Sequence, residues 1–252
     1  MISLENKTIL VTREEKAAQV FADKIITYGG KPVITPLLQI NCLAFHQQEI
    51  ASIDMNDYDW VFFTSKNGVD CFMKQSKYAT NLHHCQIAAV GPKTAQAVKE
   101  YGFHVDFIPS TYNAEVMAAE FLTTYEEAGP VLFVRGKIAS NVLLDAFTKA
   151  ERAYHCVEVY DTVTNEAVKS ALQTSLMEET IDFITFTSPS TVNAFIQLTD
   201  QVHTYKHLPV VCIGTTTERQ AKEQGFLQTI VPENFTIEGM IEAMDHAIKR
   251  EG

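Results

Sequence analysis

Six short loops carry residue types suited to holding a charged small molecule. They are Thr12-Arg13, Thr64-Ser65-Lys66, Gly91-Pro92-Lys93-Thr94, Arg135-Gly136-Lys137, Thr187-Ser188-Pro189-Ser190 and Gly214-Thr215-Thr216-Thr217. Each is small and hydroxyl-rich or basic, and each opens a stretch of helical periodicity. Such loops turn backbone N–H groups, hydroxyls and the positive end of a helix dipole toward an anion. Any one Ser or Thr in such a place is an ordinary helix cap. The recurrence of the pattern in both halves of the chain favours a ligand. No G-x-x-x-x-G-K-[ST], G-x-G-x-x-G or G-x-S-x-G motif occurs, so nothing points to a bound nucleotide or a covalent nucleophile. The histidines show no H-x-H or H-E-x-x-H spacing. Neither a metal nor another cofactor is expected.

The elements that must position these loops come in two sets. Phe63-Thr64-Ser65 and Phe72 recur as Phe186-Thr187-Ser188 and Phe195, 123 positions on. Val90-Gly91-Pro92-Lys93-Thr94 recurs at the same offset as Ile213-Gly214-Thr215-Thr216-Thr217, and Gly102-Phe103 as Gly225-Phe226. This is a duplicated unit of roughly 120 residues. Short apolar runs alternate with amphipathic stretches throughout. Strands are expected at 8–12, 60–63, 86–90, 104–108, 131–134, 182–186 and 210–213. Helices are expected at 14–28, 47–53, 69–77, 93–101, 114–125, 140–149, 166–177, 189–198, 216–224 and 237–248. Pro32 to Ile40 and Tyr154 to Val163 are extended. Alternation of this kind gives an α/β fold of two similar parallel-sheet domains, with ligands taken beyond the carboxyl ends of the strands. Two such edges facing each other would make a cleft for a polyanionic small molecule.

The bulk properties narrow the classes. Twenty basic and thirty-one acidic residues give a formal charge of −11, which argues against general nucleic-acid binding. No apolar run approaches a membrane span, and residues 1–7 do not read as a signal peptide. Five cysteines, an odd count without C-x-x-C, are expected as reduced thiols in the cytoplasm. Without heptads, the default is a monomer.

With these residues in hand, the chain resembles the uroporphyrinogen-III synthase family over nearly its whole length. The carriers in the first half are Ile9-Leu10-Val11-Thr12-Arg13, Pro36-Leu37-Leu38-Gln39-Ile40, Phe63-Thr64-Ser65 with Asn67-Gly68-Val69, and Ala89-Val90-Gly91-Pro92-Lys93-Thr94-Ala95. The second half adds Leu132-Phe133-Val134-Arg135-Gly136, Val157-Glu158-Val159-Tyr160-Asp161-Thr162, Phe186-Thr187-Ser188-Pro189-Ser190 and Ile213-Gly214-Thr215-Thr216-Thr217. The resemblance implies that the chain crosses twice between domains, through linkers at about 34–40 and 157–163 that pair as a two-stranded ladder. One domain then holds residues 1–36 and 163–252, the other 37–162. It implies a cofactor-free cyclising hydro-lyase. Hydroxymethylbilane, a linear tetrapyrrole with eight carboxylates, loses its terminal hydroxyl as water and closes with inversion of ring D. Left alone it closes without inversion. The enzyme's task is thus chiefly to hold a reactive chain in one conformation.

The family pattern Val-Tyr-x-Thr-Val stands here as Val159-Tyr160-Asp161-Thr162-Val163 and implies Tyr160 as proton donor to the leaving hydroxyl. A phenol, with an unperturbed pKa of about 10, carries its proton at neutral pH. Arg13, Ser65, Lys66, Gly91, Thr94, Arg135, Ser188, Ser190, Thr215, Thr216 and Thr217 are the expected substrate contacts. After the Arg135-Gly136 loop this chain has Ala139-Ser140-Asn141, where relatives often carry another basic residue. A transient contact with the enzyme that supplies the substrate is a further expectation. The competing readings are a two-lobed cytoplasmic sensor of an anionic metabolite, which would bind without turnover, and a two-domain nucleotide-sugar enzyme, against which the missing phosphate motifs count.

Overall fold

In a computed structural model, residues 2–44, 53–74 and 81–251 are described. The helix expected at 47–53 and the end of the one expected at 69–77 lie outside these residues in whole or large part. In chain order the elements are β1 (Thr8–Val11), α1 (Glu15–Thr27), β2 (Lys31–Ile34), β3 (Leu38–Cys42), β4 (Trp60–Phe63), α2 (Lys66–Met73), β5 (Gln86–Ala89), α3 (Pro92–Glu100), α4 (Ala114–Thr124), β6 (Val131–Gly136), α5 (Val142–Lys149) and β7 (Tyr154–Thr164). They continue with α6 (Lys169–Glu178), β8 (Phe183–Phe186), α7 (Pro189–Leu198), β9 (Val210–Cys212), α8 (Thr215–Glu223), β10 (Thr229–Ile230) and α9 (Ile237–Glu251).

The chain divides into two compact units, Met1–Gln39 with Val163–Gly252, and Ile40–Thr162. The first unit is built on a sheet of order β10-β9-β8-β1-β2, every neighbouring pair parallel. The second is built on β3-β7-β6-β4-β5, with parallel pairing from β7 through β5. The two extended stretches pair: β3 lies beside β7, the Leu43 N–H donates to the Val159 carbonyl at 2.9 Å, and the Asn165 N–H donates to the Leu37 carbonyl at 2.8 Å.

The reason these strands are short unbroken apolar runs is that both faces are covered. In the second unit Val61, Phe63, Leu132 and Val134 enter one cluster, while Trp60, Phe62, Val131 and Phe133 enter the cluster on the opposite face. In the first unit Ile9, Val11 and Phe183 face one way, and Leu10, Ile184 and Phe186 the other. The Phe62 ring meets Phe121 at 4.6 Å and Phe133 at 5.1 Å between centroids, both edge to face. That is the geometry aromatic quadrupoles favour.

Two expectations are corrected and one short strand is added. The strand foreseen at 104–108 reduces to one bridge, Ala88 to Phe107, because Asp106 and Phe107 both donate their N–H to the single carbonyl of Ile87 and no ladder continues. The short strand β10 leaves no sign in the sequence, since two residues make no apolar run. The cysteines are not all reduced: Cys42, at the end of β3, and Cys71, on α2, form a disulfide with Cα atoms 5.3 Å apart. Cys85, Cys156 and Cys212 remain thiols, and burial pushes Cys212 up to about 12 and Cys85 up to about 11. Among the described residues no helix is long and apolar enough to cross a membrane.

Candidate functional site

At the carboxyl end of the second unit's sheet lies a cavity of about 210 Å³, lined by residues that include Thr64, Ser65, Arg135, Ser140 and Tyr160, with Phe133, Leu143 and Leu144 as apolar wall. Three of the expected site residues, Ser65, Arg135 and Tyr160, are thus brought together by β4, β6 and β7.

Tyr160 is held from three sides. Ser65 has extended backbone and caps α2; its Oγ accepts the Gly68 N–H at 3.0 Å and lies 3.0 Å from the Tyr160 hydroxyl. The register of β6 against β7 runs Arg135 to Glu158 and then shifts to set Gly136 opposite Tyr160. A bulge of this kind re-aims a side chain. Here it lays the ring against the bare face of Gly136, where an added Cβ would stand 2.5 Å from Tyr160 Cζ. Beyond the bulge, the Lys137 N–H donates to the Tyr160 carbonyl at 2.9 Å. The result is a half-buried phenol, fixed in position in a residue that lines the cavity, a group able to give a proton or a hydrogen bond.

Arg135 lines the cavity, and its guanidinium is tied into its own loop. It is buried, and its guanidinium donates to the Ala139 carbonyl and, at 2.9 Å, to Asn141 Oδ1. A buried cation needs such partners, and these hold the 136–141 turn. Asn141 is one of them. The sequence could not reveal this, since Arg-Gly-Lys reads equally well as an exposed anion loop.

The other expected contacts are dispersed. Lys66 is half-buried at the start of α2, and Gly91 caps α3. Thr94 and Thr217, in the first turns of α3 and α8, are buried, at 5% and 1% exposed. In the first unit Ser188 caps α7 in a capping box with Thr191, each side chain serving the other's backbone at 3.2 Å. Ser190 is half-buried in the first turn of that helix, and Thr215 and Thr216 are exposed in the first turn of α8. Arg13 is half-buried after β1, and burial pulls its guanidinium below the ordinary value despite Glu14 beside it. Among the described residues no group of three His, Cys, Asp or Glu side chains is placed to hold a metal ion.

These features define a protein of two parallel α/β units, with a tyrosine seated at the strand ends of one of them. Residues 19–242 match the family described as uroporphyrinogen-III synthase HemD, and the chain belongs to that family. A uroporphyrinogen-III synthase of Chlorobaculum parvum is 28% identical over 251 residues, covering 96% of this chain and 100% of that protein. A porphyrin biosynthesis protein HemD of Ruminiclostridium josui is 29% identical over 245 residues, covering 94% of this chain; the chain spans 47% of that longer relative. In fold, the chain is similar to the crystal structure of uroporphyrinogen-III synthetase from Helicobacter pylori, with a TM-score of 0.66 and 18% identity over 97% of this chain and 99% of that one.

Proposed function

We infer that this chain is a uroporphyrinogen-III synthase, converting hydroxymethylbilane to uroporphyrinogen III with loss of water. One observation carries the reading to the level of residues. Tyr160 lines a partly apolar cavity, its hydroxyl 3.0 Å from Ser65 Oγ and its ring seated against Gly136. A cavity of this size suits a single five-membered ring and its side chains, not a whole tetrapyrrole. Tyr160 gives its proton to the departing hydroxyl of the terminal carbon, the C–O bond breaks, and water leaves. The cation left behind is attacked by the already substituted α-carbon of ring D to give a spiro intermediate. The older bond from that carbon to its bridging carbon then breaks, and the bridging carbon bonds to the free α-carbon, so that ring D is inverted. The proton lost from that α-carbon restores the pyrrole and replaces the one given by Tyr160. Arg135 shapes the wall by fixing the 136–141 turn, while Ser65 sets the direction of the Tyr160 O–H.

The internal repeat belongs to the same reading. Gly91 and Gly214, at the 123-residue offset, cap their helices with nearly the same backbone angles, and Gly102 and Gly225 share φ of +85° and +86°. This supports descent of the two units from one duplicated segment. The protein works in the cytoplasm in this reading, where Cys42–Cys71 would be open to reduction.

The test is an isomer analysis. Hydroxymethylbilane is generated in place, the products are oxidised to porphyrins, and types I and III are separated by chromatography. Type III in excess is expected. Type I alone from folded protein would overturn the assignment.

A further inference from the structure

Cys42 and Cys71, the disulfide pair of the second unit, stand at the ends of two paths that lead to Tyr160. One path runs along the sheet. Leu43, the residue after Cys42, donates its N–H to the carbonyl of Val159, the residue before Tyr160, at 2.9 Å. The other path runs along α2. Cys71 lies on that helix, and Ser65, which caps its start, stands 3.0 Å from the Tyr160 hydroxyl. The disulfide joins the two paths into a closed ring of Cys42, Leu43, Val159, Tyr160, Ser65, α2 and Cys71. Within that ring the hydrogen bond between Ser65 and Tyr160 is the link with least support, since the others are covalent or belong to a helix or a strand pairing.

Apolar packing does not depend on the bond. Val69, Cys71, Phe72 and Val159 share one buried cluster, with Ile40, Cys42 and Tyr160 packed against it. Without the disulfide α2 therefore stays folded on the sheet, but with more freedom to shift on it. The two sulfurs differ in their surroundings. Cys71 is 2% exposed, while Cys42 is half-buried at the end of β3, so a reductant meets Cys42 first. Lys74, at the end of α2, places its Nζ 3.7 Å from Cys42 Sγ. An ammonium so close favours a thiolate there, the form that leaves in reduction and attacks in re-oxidation.

We propose that Cys42–Cys71 is a redox switch that sets the rate at which Tyr160 gives its proton. The proposal rests on the activity inferred above. A dithiol reductant opens the switch in two steps. One of its thiolates attacks Cys42 Sγ, the S–S bond breaks, and Cys71 leaves as a thiolate and takes a proton. Its second thiolate attacks the mixed disulfide, closes the reductant into a cyclic disulfide and releases Cys42 as a thiolate beside Lys74. Two electrons pass from the dithiol to the two cysteines; of the two protons it gives up, one ends on Cys71 and one in solvent. The ring of contacts is then open, and α2 no longer fixes Ser65 against the phenol. The oxidised chain is the fast form and the reduced chain the slow one.

The test uses the full chain with hydroxymethylbilane generated in place, assayed well below the unfolding transitions of both forms. Reduction with dithiothreitol is expected to lower kcat about five- to tenfold, the worth of one orienting hydrogen bond, with KM little changed, and re-oxidation should restore it. Cys42→Ser should hold the reduced value with or without reductant. In Ser65→Ala the link is already lost, so reduction should change kcat by less than about twofold. A reduced wild type within about twofold of the oxidised one, even with a lowered Tm, would overturn the proposal alone, since the bond would then be a staple. An equal loss on reduction in wild type and Ser65→Ala would overturn it too, because the effect would not pass through the phenol. Oxidised wild type giving only type I would overturn the inferred activity, and this proposal with it.

Discussion

The hydroxyl of Tyr160 lies 3.0 Å from Ser65 Oγ, and the same oxygen of Ser65 accepts the Gly68 N–H at 3.0 Å. A serine serving as helix cap thereby also orients the phenol. Tyr160→Phe removes the proton and keeps the ring. If the phenol is the general acid, kcat should fall by about 10²–10⁴-fold, the usual worth of such a group, with KM little changed. Ser65→Ala keeps the phenol and loses its orientation, so it should cost less in kcat, and the weakened cap should also lower stability by about 1 kcal/mol. A Tyr160→Phe enzyme within threefold of the wild type, with its fold intact, would remove Tyr160 from the role.

Gly136 is argued from space rather than from backbone freedom. An added methyl would meet the Tyr160 ring at 2.5–2.8 Å, at Cζ, Cε2 and the hydroxyl oxygen. Something must shift, and the surrounding strand is buried, so the ring is what moves. Gly136→Ala is expected to lower kcat by about 10²-fold through displacement of the donor. Crystallography or a tyrosine-specific NMR probe should find the ring moved; wild-type activity would show that the seat has no bearing on turnover.

Much of this architecture was legible in the chain, for identifiable reasons. Trp60-Val61-Phe62-Phe63 reads as a strand because both of its faces are buried, so no polar residue interrupts it. The helix at Pro189–Leu198 was placed to the residue because Ser188 and the proline mark its start chemically. What stayed hidden depends on distant partners. Cys42 and Cys71 are 29 residues apart with no spacing signature, and only the fold brings β3 beside α2. Arg135 looked like a ligand for carboxylates because its partners, Ala139 and Asn141, are oxygens that any residue or any asparagine could supply.

The disulfide closes a loop from β3 to α2, the helix whose cap orients Tyr160. Loop-closure entropy for this separation is worth about 3–4 kcal/mol. Cys42→Ser, or reduction of the wild type, should therefore lower the denaturation midpoint, and the reductant should have no further effect on the variant. A thiol titration of the unfolded, unreduced protein should count three thiols, for Cys85, Cys156 and Cys212, rising to five after reduction. A count of five before reduction would show that the bond does not form in solution.

Asp245 gives the acid limb of stability a defined origin. It is 2% exposed on α9 and accepts from the Ser3 N–H at 3.0 Å and from Lys249 Nζ at 2.6 Å. Burial pushes its carboxyl up, but the Lys249 ammonium and the Ser3 amide outweigh this and hold it below the ordinary value. A group depressed on folding adds stability that is present in full above its unfolded pKa, about 3.9, and is lost as pH falls through the lower folded value. Charge-assisted hydrogen bonds of this kind contribute about 2 kcal/mol. Asp245→Asn should thus be less stable than the wild type at pH 7, with the gap closing as pH drops below about 4. Urea denaturation of both proteins across pH 2.5–7 measures it. Parallel curves, with the same gap at every pH, would mean that the carboxylate's charge is not what ties the segment at Ser3 to the helix.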